Sequence, residues 1–158
     1  MSIRSIRAYV NQTLNGLAVP GITAPMKAVS YIPPVDVLDA PYVWVQASLA
    51  KESRIGGHRG AGRKERMIDI VLGVLWQINP DQSDPAQFDD IVESIEVAIR
   101  SVANQVQLTD TLTGKTSYLL SIGETMETVW FDPMAANVEG CLDYTAGIRA
   151  TAIEEVVG

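Results

Sequence analysis

Residues 66–79, RMIDIVLGVLWQIN, restrict the fold more than any other stretch of this chain. Met67, Ile68, Ile70, Val71, Leu72, Val74, Leu75, Trp76 and Ile78 leave neither face of an extended segment polar. Side chains alternate across a strand, so one that is apolar on both sides is either central in a sheet or has one face buried by another chain. Asn79-Pro80-Asp81 ends it. Its natural partner is the run Tyr42–Ala50. There Val43, Val45, Ala47 and Leu49 form a core face, and Tyr42, Trp44, Gln46 and Ser48 point the other way. A partner subunit is one means of covering those two aromatics. A single internal core holding Trp44, Trp76 and Trp130 is the other arrangement compatible with the pattern.

Between the two strands lies KESRIGGHRGAGRKER, residues 51–66. Its Lys51, Arg54, Arg59, Arg63, Lys64 and Arg66 are half of the 12 basic residues, and His58 is the only histidine. A basic, glycine-rich segment poor in apolar side chains cannot bury itself, so a flexible tip on a long β-hairpin is expected. Gly57 and Gly62 have the first spacing of a phosphate-binding loop. Arg63, however, stands where the lysine belongs, Lys64 replaces the magnesium-binding hydroxyl, and a strand follows where a helix is needed.

The flanking segments supply helices. Ile3, Ile6, Tyr9, Val10 and Leu14 follow the helical period within 1–16, and Asn15-Gly16 ends that helix. Residues 84–104 read as the core helix: Asp84 caps it, Pro85 opens it, and Phe88, Ile91, Val92, Ile95, Ala98, Ile99 and Val102 form one stripe. Glu96 and Arg100 make a favourable pair one turn apart. Lys27–Ile32 is a strand halted by Pro33-Pro34. Gln107–Thr113 and Thr116–Ile122 flank Gly114-Lys115 as a hairpin, Gly123 interrupts, and Thr125–Phe131 forms a further strand. The last strand, Leu142–Val157, puts Tyr144, Ala146, Ile148, Ala150 and Ala152 on one face. Residues 125–140 receive no further assignment. The expectation is one α+β domain over 1–158: a mostly antiparallel sheet, two main helices packed on it, and the hairpin arm.

Charge and composition narrow the function. With 19 acidic residues against 12 basic ones the net charge is −7, which disfavours nucleic-acid binding by the surface as a whole. Any such binding falls to loop 51–66 acting alone, and that small nucleic-acid-binding module stands as an alternative. One cysteine, Cys141, excludes an intrachain disulfide and a cysteine-rich metal site. No apolar run reaches the ~20 residues that cross a bilayer, and the first residues lack a secretory signal core, so a soluble intracellular protein without membrane contact is expected. His58 sits among arginines and Cys141 has no second histidine to activate it. The aspartates fall at turns and helix starts, where they act as caps. No cofactor or metal site and no enzyme is expected, although a site built from carboxylates alone remains an open third class.

The order of these features resembles a virus family. An N-terminal helix, a strand closed by YIPPVDVLDAP, a strand-loop-strand carrying RIGGHRGAGRKER, and the amphipathic helix FDDIVESIEVAIRSV look like the tail terminator, or tail-completion, proteins of long-tailed phages. The resemblance spans roughly 1–155 as a pattern of elements. It implies a homo-oligomer, a hexameric ring that caps the tail tube and presents the surface for head attachment. Its partners would be the tail tube protein and a head-completion or neck protein, with DNA passing through the lumen unbound. The implied location is the virion tail or neck, after assembly in the host cytoplasm, and another head–tail connector is a close variant. Tyr42, Trp44, Arg54, His58, Arg59, Arg63, Lys64 and Arg66 are the expected interface residues.

Overall fold

The structure, a computed structural model, describes residues 3–29, 40–54, 63–101, 106–109, 112, 114 and 116–157. Two helices, α1 (Ile3–Leu14) and α2 (Gln87–Arg100), pack on one curled sheet. Its strands are β1 (Lys27–Val29), β2 (Tyr42–Arg54), β3 (Arg63–Ile78), β4 (Val106–Thr109), β5 (Thr116–Trp130), β6 (Met134–Ala135) and β7 (Leu142–Val157). They lie in the order β1-β2-β3-β7-β5-β4, with β6 also on β7. All pairs are antiparallel except β1 with β2. This is the expected α+β architecture.

The doubly apolar strand takes the central place its sequence requires. β3 pairs with β2 on one side and along its whole length with β7 on the other, from Arg63↔Val157 to Ile78↔Leu142. Ile68, Ile70, Leu72, Val74, Trp76 and Ile78 are buried under the helices. They meet Ile148 of β7 and three small residues of the same strand, Ala146, Ala150 and Ala152, that leave room for α2. Against this face α1 sets Ile6, Val10 and Leu14, and α2 sets Phe88, Ile91, Val92, Ile95 and Ile99. Tyr144 joins the layers, its ring centroid 6.4 Å from Trp76 and 5.8 Å from Phe88. α1 touches β1 and β2 at one margin of the sheet and β4 at the other, so the sheet wraps around it.

Local chemistry explains the boundaries. α1 stops at Gly16, whose φ of 81° is a left-handed conformation. The Gly16 N–H then donates to Met26 O at 2.8 Å, and Asn15 Oδ1 accepts from Ala28 N–H at 3.2 Å, so the helix end is tied to β1. Asp84 Oδ1 accepts the Ala86 N–H at 3.0 Å just before α2. α2 is shorter than the expected 84–104, and residues 102–104 lie outside the described residues.

Three expectations need correction. Strand β2 runs past Ala50 to Arg54 and β3 begins at Arg63, so both ends of the basic segment belong to the sheet. Cross-strand pairing continues there because Lys51–Arg54 finds a ladder partner in Lys64–Met67. His58 and Arg59 fall outside the described residues. Second, Gly123 does not divide two strands. β5 continues through it with a register irregularity between Ile122 and Met126, and Gly123 takes φ 81° there. A Cβ on Gly123 would stand 2.9 Å from Ile99 Cγ2, so this bulge lets α2 lie close to the sheet. Third, the tryptophans do not share one core. Trp76 is buried, Trp44 is half-buried on the opposite face, and Trp130 is exposed.

That opposite face has its own close packing. The Trp44 ring packs against Gly73, its neighbour on β3, and a Cβ there would overlap the ring. Gly73→Ala is therefore expected to lower stability by about 1–3 kcal/mol, as overpacking does. Adding Trp44→Ala should recover part of the loss, a non-additivity readable from urea midpoints. Additive losses would mean that the two residues do not constrain each other.

Candidate interaction surface

The sequence-derived interface residues separate into two places. Tyr42 and Trp44 sit where β2 meets Leu75 and Gly73, whereas Arg54 pairs with Lys64 at the far end of the same ladder. Twelve residue steps along a strand, at ~3.3 Å each, make that separation roughly 40 Å. Tyr42 lies on the face opposite the helices, as its alternation requires, but its own chain covers it. It is 7% exposed, packed with Ala40, Ala24, Val29 and Leu75, and the Lys27 Nζ stands 5.7 Å from its ring centroid. Arg63 and Lys64 open β3 opposite Val157 and Val156.

Arg66 belongs with the core rather than with a free arm. It shares the face of Ile68 and Ile70, its Nε is buried, and its register partners are Glu52 on β2 and Glu154 on β7. Glu154 is fully buried. A buried carboxylate is tolerated where cationic or hydrogen-bonding groups compensate it. Glu65 likewise stands opposite Glu155. The carboxylates Glu52, Glu65, Glu154 and Glu155 thus lie among the strand-borne cations and dilute their field.

The middle of the outer face is polar and internally satisfied. Arg149 Nη2 donates to Asp69 Oδ2 at 2.6 Å, and Thr151 Oγ1 donates to Asp69 Oδ1 at 2.8 Å, linking β7 to β3. The Asp69 hydrogen bond and charge, with Glu127 of β5 nearby, hold the Arg149 guanidinium above its ordinary pKa. Further along, Gln77 Nε2 donates to Asp143 Oδ1 at 3.1 Å. Among the described residues, no group of three or more His, Cys, Asp or Glu side chains is placed to hold a metal ion. No helix among them is long and apolar enough to cross a membrane.

The most conspicuous surface feature is one that sequence reasoning left unassigned. At the end of β5 and in β6, Val129, Trp130, Phe131 and Met134 are 51–69% exposed. The backbone there is well anchored: Val129 and Trp130 pair with Gly147 and Ala146 of β7, and the Phe131 N–H donates to Thr145 O at 3.0 Å. Phe131 leans towards Gly147, where a Cβ would come within 3.8 Å of its ring. β4 reaches only as far as Leu119, so among the described residues no strand pairs with the other edge of Met126–Trp130. Four large apolar side chains on a hydrogen-bonded edge that no other described strand covers differ in kind from scattered surface leucines, and such patches mark sites of association. The signal in the sequence was the run Val129-Trp130-Phe131, apolar on both faces of a strand and halted by Asp132-Pro133. The same pattern in 66–79 denotes a central strand; here it lies at an edge.

The chain matches no protein-family model and no curated protein.

Proposed function

We propose that this chain is a structural, ring-forming subunit of the head–tail junction of a long-tailed phage, a tail terminator or an adjoining neck component. In this reading it caps the tail tube and offers the surface to which the DNA-filled head attaches. It acts through protein–protein contact, without catalysis or cofactor, and it ends in the virion after assembly in the host cytoplasm. The observation that carries the reading is the exposed, anchored edge Val129–Met134, a surface suited to being covered by protein. The element order supports it, and so does the excess of acidic residues, since a ring that passes DNA benefits from walls that repel phosphate. The carboxylates interleaved with the cations of the strand ends make the nucleic-acid-binding alternative less favourable.

The test is assembly. The wild-type chain at micromolar concentration, alone and with tail tubes, is expected to give closed rings by light scattering and electron microscopy. Trp130→Glu combined with Phe131→Ser should leave the circular dichroism and melting temperature nearly unchanged while rings and capped tubes disappear. A wild-type chain that stays monomeric and leaves tube ends bare would refute the proposal.

A further inference from the structure

The outward side of α2 carries a groove that neither the core nor the exposed edge of β5 uses. Leu17, Ala18 and Pro20 form one wall, Val97 and Ala98 the other, and Asp90 and Glu93 stand beside them. Both walls are anchored. Val19, between Ala18 and Pro20, is buried in the core, and Gln87 Nε2 donates to Gly21 O at 3.0 Å. The groove holds about 500 Å³, a volume in the range of ligand sites. Val97 is 53% exposed there, although the stripe on the opposite side of the same helix is buried. From Asp90 to Ser101 the groove follows α2 for about three turns, roughly 16 Å at ~1.5 Å per residue.

The charge around it has one sign. Asp81, Asp84, Asp89, Asp90, Glu93 and Glu96 are the charged residues between Asn79 and Ile99, and Asn15–Met26 has none. Glu96, on the other flank of α2, is satisfied by Arg100 and by Thr128 Oγ1 of β5. Asp90 and Glu93 meet no cation among the described residues. The hydroxyls beside them turn back on the helix, Ser94 Oγ donating to Asp90 O and Ser101 Oγ to Val97 O, each at 2.7 Å. Exposed carboxylates on a helix are ordinary, but two uncompensated ones along an anchored apolar groove form a recognition pattern. We infer that this groove binds an amphipathic helix of another protein. Its apolar residues, at i, i+3 or i+4 and i+7, would lie against Leu17 and Val97, and Lys or Arg beside them would meet Asp90 and Glu93. A second copy of this chain cannot supply that helix. Among the described residues both helices bury their apolar stripes in their own core, Ile6, Val10 and Leu14 on α1 and the Phe88–Ile99 stripe on α2. The contact goes beyond the ring reading proposed above and does not depend on it.

The probe is a fluorescently labelled synthetic helix of about three turns, with leucines in one stripe and lysines beside it. The wild-type chain is expected to bind it, more weakly as salt rises from about 50 to 500 mM. A helix with glutamate for each lysine, or one of equal charge with the leucine stripe scrambled, should bind at least about tenfold more weakly. Val97→Lys should weaken the lysine helix by a similar factor, and Asp90→Lys with Glu93→Lys should switch the preference to the glutamate helix. Melting temperatures show that the variants fold, and Asp90→Asn with Glu93→Gln supplies a milder pair if the reversal does not. Trp130→Glu with Phe131→Ser should bind the probe as wild type does. Equal binding of the lysine and scrambled helices, binding of neither, or binding unchanged by the Val97 and Asp90–Glu93 variants overturns the groove contact and leaves ring formation intact. A wild-type chain that stays monomeric but binds the probe through Val97 overturns the ring and supports the groove.

Discussion

Replacing Ile95 with alanine is expected to destabilise the fold by about 2–5 kcal/mol, the range for large-to-small changes in a well-packed core. Ile95 is fully buried midway along the α2 stripe, between Ile91 and Ile99, where helix and sheet cannot collapse independently into the space left. Domains of this size are stable by about 5–15 kcal/mol, so a large share of the total is at stake. At ~2–4 °C per kcal/mol the melting temperature should fall by roughly 4–20 °C. In urea the midpoint should drop with little change in slope. Val97 gives the internal control. It lies two residues on along the same helix but is half-exposed, and Val97→Ala should cost under about 1 kcal/mol. Equal losses at the two positions would contradict the observed orientation of α2.

The second large effect concerns a charge in the core. Arg66 and Glu154 face each other across β3 and β7, on the side of the sheet that holds Ile68 and, on β5, Leu119. Removing one partner of a buried pair leaves the other charge poorly compensated and typically costs about 3–5 kcal/mol. Arg66→Met is expected to fall in that range by urea denaturation. Adding Glu154→Leu should restore most of the loss, because a well-packed apolar pair often does as well as a buried ionic one. If Arg66→Met alone leaves stability unchanged, groups other than Arg66 compensate Glu154.

These two cases also show how much the sequence disclosed. The helical stripe of α2 was legible at Phe88, Ile91, Val92, Ile95 and Ile99, all of them buried, since apolar positions at helical spacing admit one orientation only; Ala98 is half-buried and Val102 lies outside the described residues. The central place of β3 followed from its doubly apolar pattern, and the face assignment of β2 held for Val43 and Val45, in the main core, and for Tyr42 opposite. It failed beyond them, because the register shift between Val45 and Ala47 sets Ala47 and Leu49 in register with Val71 and Asp69, and Ser48 and Ala50 in register with the core residues Ile70 and Ile68. What composition hid was pairing. Arg66 reads as one more cation of a glycine-rich arm until register places it between Glu52 and Glu154. Likewise, the loop 51–66 appeared polar enough to stay out of the sheet, yet four of its residues at either end extend the ladder. Backbone hydrogen bonding decides that, and it is indifferent to side-chain charge. The exposed apolar edge at Val129–Met134 escaped for the converse reason. Periodicity shows that a strand is apolar on both faces, but whether it is central or marginal depends on which strands lie beside it.

One consequence of the topology concerns synthesis. β7 supplies one flank of β3 and one flank of β5, yet it follows both in the sequence. Until it has left the ribosome, β3 offers a bare, strongly apolar edge with only β2 to pair with, and β5 has only the short β4. The nascent chain thus passes through a stage in which its stickiest strand lacks half its ladder. Crowded, concurrent production of many copies would then favour chaperone capture before the last strand closes the sheet.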